Sequence, residues 1–162
     1  MPKANNVTRL LDSRRVVYTV HLLPPEKLGA VETARLLGVD PQLVYKTIVV
    51  TRLKGRPILA VIPAAHRVDL KLLAAALGEK KLFLPTEAEA ERLTGLQAGG
   101  ISPLALIHKG FQVLLSDQAR EREAVHISGG ERGLNIRLPV QVLVELTHAR
   151  LAHLSLPEDD LH

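Results

Sequence analysis

The chain is 162 residues long, 46% hydrophobic and 23% charged, the balance of one globular domain rather than a disordered segment. It has no cysteine, which excludes a disulfide scaffold, a thiolate zinc site, an iron–sulfur cluster and a cysteine nucleophile of its own, and aromatics at 2% leave an aliphatic core. The net charge of +4 permits an anionic partner without demanding one, and it is uneven: residues 1–67 carry +7 (eleven Lys/Arg, four Asp/Glu) and residues 68–162 carry −3 (ten against thirteen).

In chain order, residues 1–6 lack the apolar run of a signal peptide, and no window reaches the roughly 18 consecutive apolar residues of a spanning helix. The chain is therefore expected to be soluble and cytoplasmic. Val7, Leu10 and Leu11 predict an amphipathic helix over residues 4–14, and the β-branched run Val16–Val20 predicts a strand ended by Pro24-Pro25. Ala30–Leu37 reads as a helix closed by Gly38, and Pro41 opens a turn before the strand Tyr45–Val50. Lys54-Gly55 turns the chain into a second strand, Ile58–Ile62.

Asp69 caps a Leu/Ala helix that exits at Gly78, Lys81–Leu84 reads as a strand, and Thr86–Leu93 as a helix closed by Gly95. Strands follow at Phe111–Leu115, Ala124–Ser128 and Leu134–Leu138, then a helix from Pro139 to Thr147 and an edge strand at Leu151–Leu154. No linker or repeat divides this order, which predicts one α+β domain over residues 1–156, a mixed sheet wrapped by short helices. Residues 157–162 form an acidic tail expected to fray.

Several chemistries are missing. The seven histidines include no HExxH or comparable cluster and read as scattered surface residues, so neither a metal nor a cofactor is expected. There is no GxSxG elbow, no P-loop and no Rossmann fingerprint, and the strands lack the aromatics on which RNA-reading sheets stack bases.

Three local features remain, each with an ordinary reading beside a functional one. Lys46 immediately precedes the apolar run Ile48-Val49-Val50; it either meets an anion or snorkels from a strand end. Gly99-Gly100-Ile101-Ser102-Pro103 is either a loop that turns backbone N–H groups toward a ligand or a plain connection. Ser128-Gly129-Gly130-Glu131-Arg132-Gly133-Leu134-Asn135-Ile136 is either a tight cavity wall of small polar side chains or a hairpin with demanding turns. The cations Arg52, Lys54, Arg56 and Arg67 form either a solvated hairpin tip or a phosphate-contacting rim.

Taken together and in this order, Val44–Val50, Gly99–Leu104 and Ser128–Ile136 resemble the lysine strand, the GG-x-SP loop and the third motif of the YbaK/EbsC family. These are free-standing aminoacyl-tRNA deacylases, related to the editing insertion domain of bacterial prolyl-tRNA synthetases. The likeness spans roughly residues 7–155 and implies that family's barrel-like mixed sheet. It implies hydrolysis of misacylated tRNA, first of all Cys-tRNA(Pro), with the substrate's own thiol attacking its carbonyl to give a cyclic thiolactone. Ala-tRNA(Pro) or another small aminoacyl-tRNA is the rival substrate, and a non-catalytic tRNA-binding module the rival class. Prolyl-tRNA synthetase is implied as a partner beside the tRNA.

Carried onto this chain, the resemblance implies that Lys46 orients the ester or the terminal nucleotide, and that the N–H groups of Gly100 and Ile101 hold the carbonyl oxygen. Gly99, Ser102, Pro103, Ser128, Gly129 and Asn135 would form or support the aminoacyl pocket, and Arg52, Lys54, Arg56 and Arg67 would meet the acceptor stem. Two positions depart from the family pattern: Leu22 and Leu23 follow His21 where a Tyr is frequent, and Asn135 stands where Asp is common.

Overall fold

The computed structural model describes residues 4–158. Asn5 caps α1 (Asn6–Ser13) through a reciprocal capping box with Thr8. β1 (Thr19–Leu22) leads to α2 (Ala30–Leu37), which Gly38 ends in the left-handed conformation. A 3-10 turn at Pro41–Leu43 feeds β2 (Tyr45–Arg52), which turns back into β3 (Ile58–Pro63). β4 (His66–Val68) is followed by α3 (Leu70–Leu77), whose first turn is capped by Asp69. Next come β5 (Leu82–Phe83), α4 (Glu87–Thr94) and a 3-10 helix at Pro103–Lys109. β6 (Gln112–Ser116), β7 (Ala124–Ser128), β8 (Leu134–Pro139), α5 (Val140–Thr147), β9 (Arg150–Ala152) and β10 (Ser155–Pro157) complete the chain.

The strands form three sheets, ordered β5-β2-β3-β6-β9, β1-β8-β7 and β10-β4. In the largest, β2 pairs antiparallel with β3, while β3–β6 and β6–β9 are parallel. β3 is buried along its whole length, which its unbroken apolar run Ile58–Ile62 permits. Alternation then sorts the side chains: Leu59, Val61, Val49 and Leu115 pack on one face, beneath residues of α1, α5 and the β7–β8 pair. Ile58, Ala60, Ile62, Val50 and Leu114 pack on the other, against Leu73 of α3 and Leu154. A parallel bridge between Val44 and His126 joins the large sheet to the three-stranded one.

The structure departs from the periodicity in particular places. β1 begins at Thr19 rather than Val16, because α1 unwinds into a turn: Arg15 takes φ +56° and the Val16 N–H donates to the Leu11 carbonyl at 3.0 Å. That N–H is lost to any ladder, and Val17 stands 87% exposed. The strands form three sheets, not one, and β4 and β10 have no periodic signal because each is three residues long. They exist by pairing with each other, Ser155 opposite Val68 and Pro157 opposite His66. This corrects the tail at its start: Pro157 lies in β10, and the Glu158 N–H donates to the Ala65 carbonyl at 2.8 Å. Residues 159–162 lie outside the described residues. Two histidines are not on the surface. His66 and His126 are buried, and His66 Nδ1 lies 2.8 Å from Ser155 Oγ.

Leu114 is fully buried in β6, between β3 and β9. Leu114→Ala is expected to lower the unfolding free energy by about 2–5 kcal/mol, read from urea denaturation.

Candidate active site

A cavity of about 270 Å³ opens where four stretches of chain meet: residues 23–33, the start of β2, the 98–101 loop and the turn between β7 and β8. β2 brings Lys46 to it. Lys46 shares its face of β2 with Ile48 and Val50 and stands where that apolar layer stops, half-buried. Burial pulls its ammonium below the ordinary lysine value, and the nearby Glu158 carboxylate acts in the opposite sense.

The 98–101 loop is clamped from both sides. Its Ala98 N–H donates to Glu91 Oε2 at 2.7 Å, and Arg132 Nε donates to the Ala98 carbonyl at 2.7 Å. Gly99 takes φ +90°. Gly100 lies so close to the next loop that a Cβ there would stand 2.8 Å from Glu131 Cα, so only glycine permits the approach. The Gly100 N–H donates to the Gln97 carbonyl at 2.8 Å. Among the described residues no protein acceptor takes the N–H of Gly99 or of Ile101, and both residues line the cavity.

The β7–β8 turn supplies Ser128, Gly133, Leu134 and Asn135. Ser128 Oγ accepts from the Gly130 N–H at 3.2 Å, which leaves its hydroxyl proton to donate elsewhere. Gly133, at φ +86°, lets the turn press on the Leu23 carbonyl, and its own carbonyl accepts from the Leu23 N–H at 2.8 Å. Helix α1 braces the turn from behind: Asn5 Nδ2 donates to the Gly129 carbonyl at 2.9 Å and to Glu131 Oε1 at 3.0 Å.

Beneath the cavity, His126 Nδ1 lies 2.9 Å from Asn135 Oδ1, and the His21 ring is 5.3 Å away, centroid to centroid. Since Oδ1 can only accept, Nδ1 carries the proton. Burial pushes His126 below the ordinary imidazole value, helped by His21 and Arg137, while the bond to Asn135 opposes the shift.

Of the residues expected at the site, the cavity gathers Lys46, Gly99, Ile101, Ser128 and Asn135. Ser102 and Pro103 are buried behind it, where Ser102 Oγ caps the 3-10 helix by accepting from the Leu104 N–H at 3.2 Å. Gly129 also lies behind, its N–H donating to the Leu134 carbonyl at 2.8 Å. The basic rim divides. Arg52 is six strand positions from Lys46, roughly 20 Å along an extended chain. It pairs with Glu79 at 3.3 Å and bonds Gln112. Arg56 donates to the Lys109 carbonyl at 2.7 Å, and Lys54 shares their hairpin tip, while Arg67 is exposed on β4.

Sequence reasoning missed Glu26 and His126. The first carries no motif. The second could have been placed by alternation, which puts His126 and Ser128 on one face of β7. Among the described residues no three His, Asp or Glu side chains group closely enough to hold a metal ion, and no helix is long and apolar enough to cross a membrane.

A family model for the aminoacyl-tRNA editing domain matches residues 24–146. The chain is 32% identical over 155 residues, 94% of each protein, to EbsC of Enterococcus faecalis, named for a proposed Cys-tRNA(Pro)/Cys-tRNA(Cys) deacylase activity. It is 27% identical over 108 residues to a proline–tRNA ligase of Thermodesulfovibrio yellowstonii, a match covering 67% of this chain and 18% of the ligase. Among solved structures, one described only as a hypothetical protein superposes with a TM-score of 0.85 at 25% identity, over 94% of this chain and all of that one. A proposed trans-editing enzyme for prolyl tRNA synthetase shares the fold at a TM-score of 0.79 and 24% identity, over 98% of this chain and 100% of its own.

Asn5→Ser keeps an oxygen to cap α1 and removes both Nδ2 bonds. The expected result is a nearly unchanged Tm with faster amide exchange over residues 129–134; unaltered exchange there would show that α1 does not brace the turn. Burial also makes stability depend on pH. The unfolded chain accepts protons near the ordinary imidazole value of 6.5 that folded His126 and His66 resist. Their contribution is therefore complete above that pH and is lost as the pH falls below it. The urea midpoint should drop between about pH 7 and about pH 5, and the drop should be shallower in His126→Gln.

Proposed function

The chain belongs to the aminoacyl-tRNA editing domain family, and from that premise we propose that it deacylates misacylated tRNA, with Cys-tRNA(Pro) as its substrate. The observation that carries this reading is the meeting at one small cavity of Lys46, Gly99 and Ile101, whose N–H groups have no acceptor among the described residues, and the short polar residues Ser128 and Asn135. An aminoacyl ester is already activated, so its cleavage needs placement and a home for developing charge rather than a strong protein nucleophile.

The cysteinyl thiol attacks the ester carbonyl carbon, forming the C–S bond of a cyclic thiolactone. The bond to the ribose oxygen breaks, and the thiol proton ends on that oxygen. Lys46, the one cation among the described residues that line the cavity, meets the phosphate and ribose of the terminal nucleotide. The N–H groups of Gly99 and Ile101 take the carbonyl oxygen as it gains charge, while that of Gly100 is held by the Gln97 carbonyl. Ser128 and Asn135 line the side-chain end, and a volume of about 270 Å³ suits a small aminoacyl group. The same domain type forms part of a proline–tRNA ligase, which supports action in trans beside that enzyme, in the cytoplasm where tRNA is charged. Arg67, exposed on β4, is the member of the basic rim that this reading assigns to tRNA contact.

The test is incubation of the chain with tRNA(Pro) charged with Cys, Ala or Pro, following loss of the ester. Cys is expected to be lost fastest, with Lys46→Ala slower by about a hundredfold or more. Faster loss of Ala would reassign the substrate, and loss of none would leave a tRNA-binding module. Methylating the cysteinyl sulfur should stop the reaction; continued hydrolysis would exclude self-attack by the thiol.

A further inference from the structure

Among the described residues that line the cavity, Lys46 is matched by one acidic residue, Glu26, which is exposed. It follows Pro24-Pro25, whose ring-fixed backbones limit how the segment can move, and its N–H donates to the Pro24 carbonyl at 2.8 Å. The neighbour in sequence that could neutralise it, Lys27, is instead paired with Glu87 of α4. Among the described residues no side chain bonds or pairs with the Glu26 carboxylate. Asn135 presents a neutral amide whose Oδ1 is already engaged by His126. A cation entering this cavity therefore has one carboxylate to meet.

The substrate of the proposed reaction has the matching pattern. An aminoacylated terminal adenosine carries a phosphodiester on one side of the ester and a free α-ammonium on the other. With the phosphodiester at Lys46, the ammonium falls to the opposite charge. We propose that Glu26 binds the α-ammonium of the aminoacyl group and thereby selects free aminoacyl-tRNA over tRNA whose amino group is acylated, such as peptidyl-tRNA or formylated aminoacyl-tRNA. This rests on the deacylase reading for the identity of the substrate, whereas the position of Glu26 at the cavity lining, unpaired among the described residues, stands apart from it. Glu26 acts as a specificity residue, since the ammonium takes no part in bond making or breaking.

The experiment compares wild type, Glu26→Gln and Glu26→Asp on Cys-tRNA(Pro) and on its N-acetylated form, the thiol free in both. It is run at about pH 6.5, below the ordinary α-amino pKa. Wild type should favour the free amine; Glu26→Gln should raise KM for it by about tenfold, the size of a lost charge-assisted hydrogen bond. The same change should leave turnover of the acetylated substrate as it was, and Glu26→Asp should recover part of the preference. Equal losses on both substrates, or no loss on either, would overturn the proposal. Calorimetric binding of a non-hydrolysable 3′-alanylamino adenosine and its N-acetyl derivative separates the two ideas. If no charged tRNA is cleaved, the deacylase reading falls and binding decides Glu26 alone. A free-amine preference that Glu26→Gln removes then supports the ammonium site, and equal binding of the two analogues removes it.

Discussion

Burial of β3 on both faces is the constraint from which the rest of the architecture follows. A strand with no solvent-facing side must be covered twice, so Leu59 and Val61 draw α1, α5 and the β7–β8 pair onto one face, and Ile58, Ala60 and Ile62 draw α3 onto the other. Polar chemistry cannot stand in such a layer without being paired. It is displaced to the strand ends, and the cavity lies at one of them. Lys46 is the first β2 residue on its face whose neighbours cease to be wholly apolar, which is why its ammonium is half-buried and depressed rather than excluded.

The cavity is shaped by backbone as much as by side chains. Its two glycine-bearing loops touch at Gly100 and Glu131, closer than any side chain on Gly100 would allow. Arg132 and Glu91 then hold one loop at Ala98, and Asn5 holds the other. Such loops place N–H groups with little freedom, and donors already placed lose little when charge develops on a carbonyl oxygen. Contacts that would look peripheral, such as an asparagine capping the first helix, belong to this support because the chain returns to them from more than a hundred residues away.

The electrostatics are sparse. Among the described residues one cation and one carboxylate line the cavity, while burial pushes the imidazole of His126 below its ordinary value and its Nδ1 bonds Asn135. Asn135 brings no charge to this imidazole, and a carboxylate is contributed to the cavity lining by Glu26, from a loop with no motif. Catalysis without a protein thiol agrees with a chain that has no cysteine, as the attacking sulfur then belongs to the substrate.

Local patterns were enough for most of the elements. Asp69 and Gly78 bracket α3, Thr86 and Gly95 bracket α4, and the runs from Tyr45 and Ile58 became β2 and β3, because caps and alternation act within a few residues. The order of the lysine strand and the two glycine motifs also carried the family. Pairing between distant segments was not legible, so β4 and β10 went unseen and Pro157 and Glu158 were read as frayed. Nor was the destination of single atoms: the Gly100 N–H turns to Gln97, Arg52 and Arg56 are tied to their own surface, and Glu26 lines the cavity with no partner among the described residues while Lys27 beside it pairs with Glu87. The sequence by itself determined which segments become helix or strand and which residue types could meet an aminoacyl ester. Only the tertiary structure decided which of their donors and charges remain unspent, because a hydrogen bond or ion pair is settled by whatever the fold brings within about 3 Å, irrespective of distance along the chain.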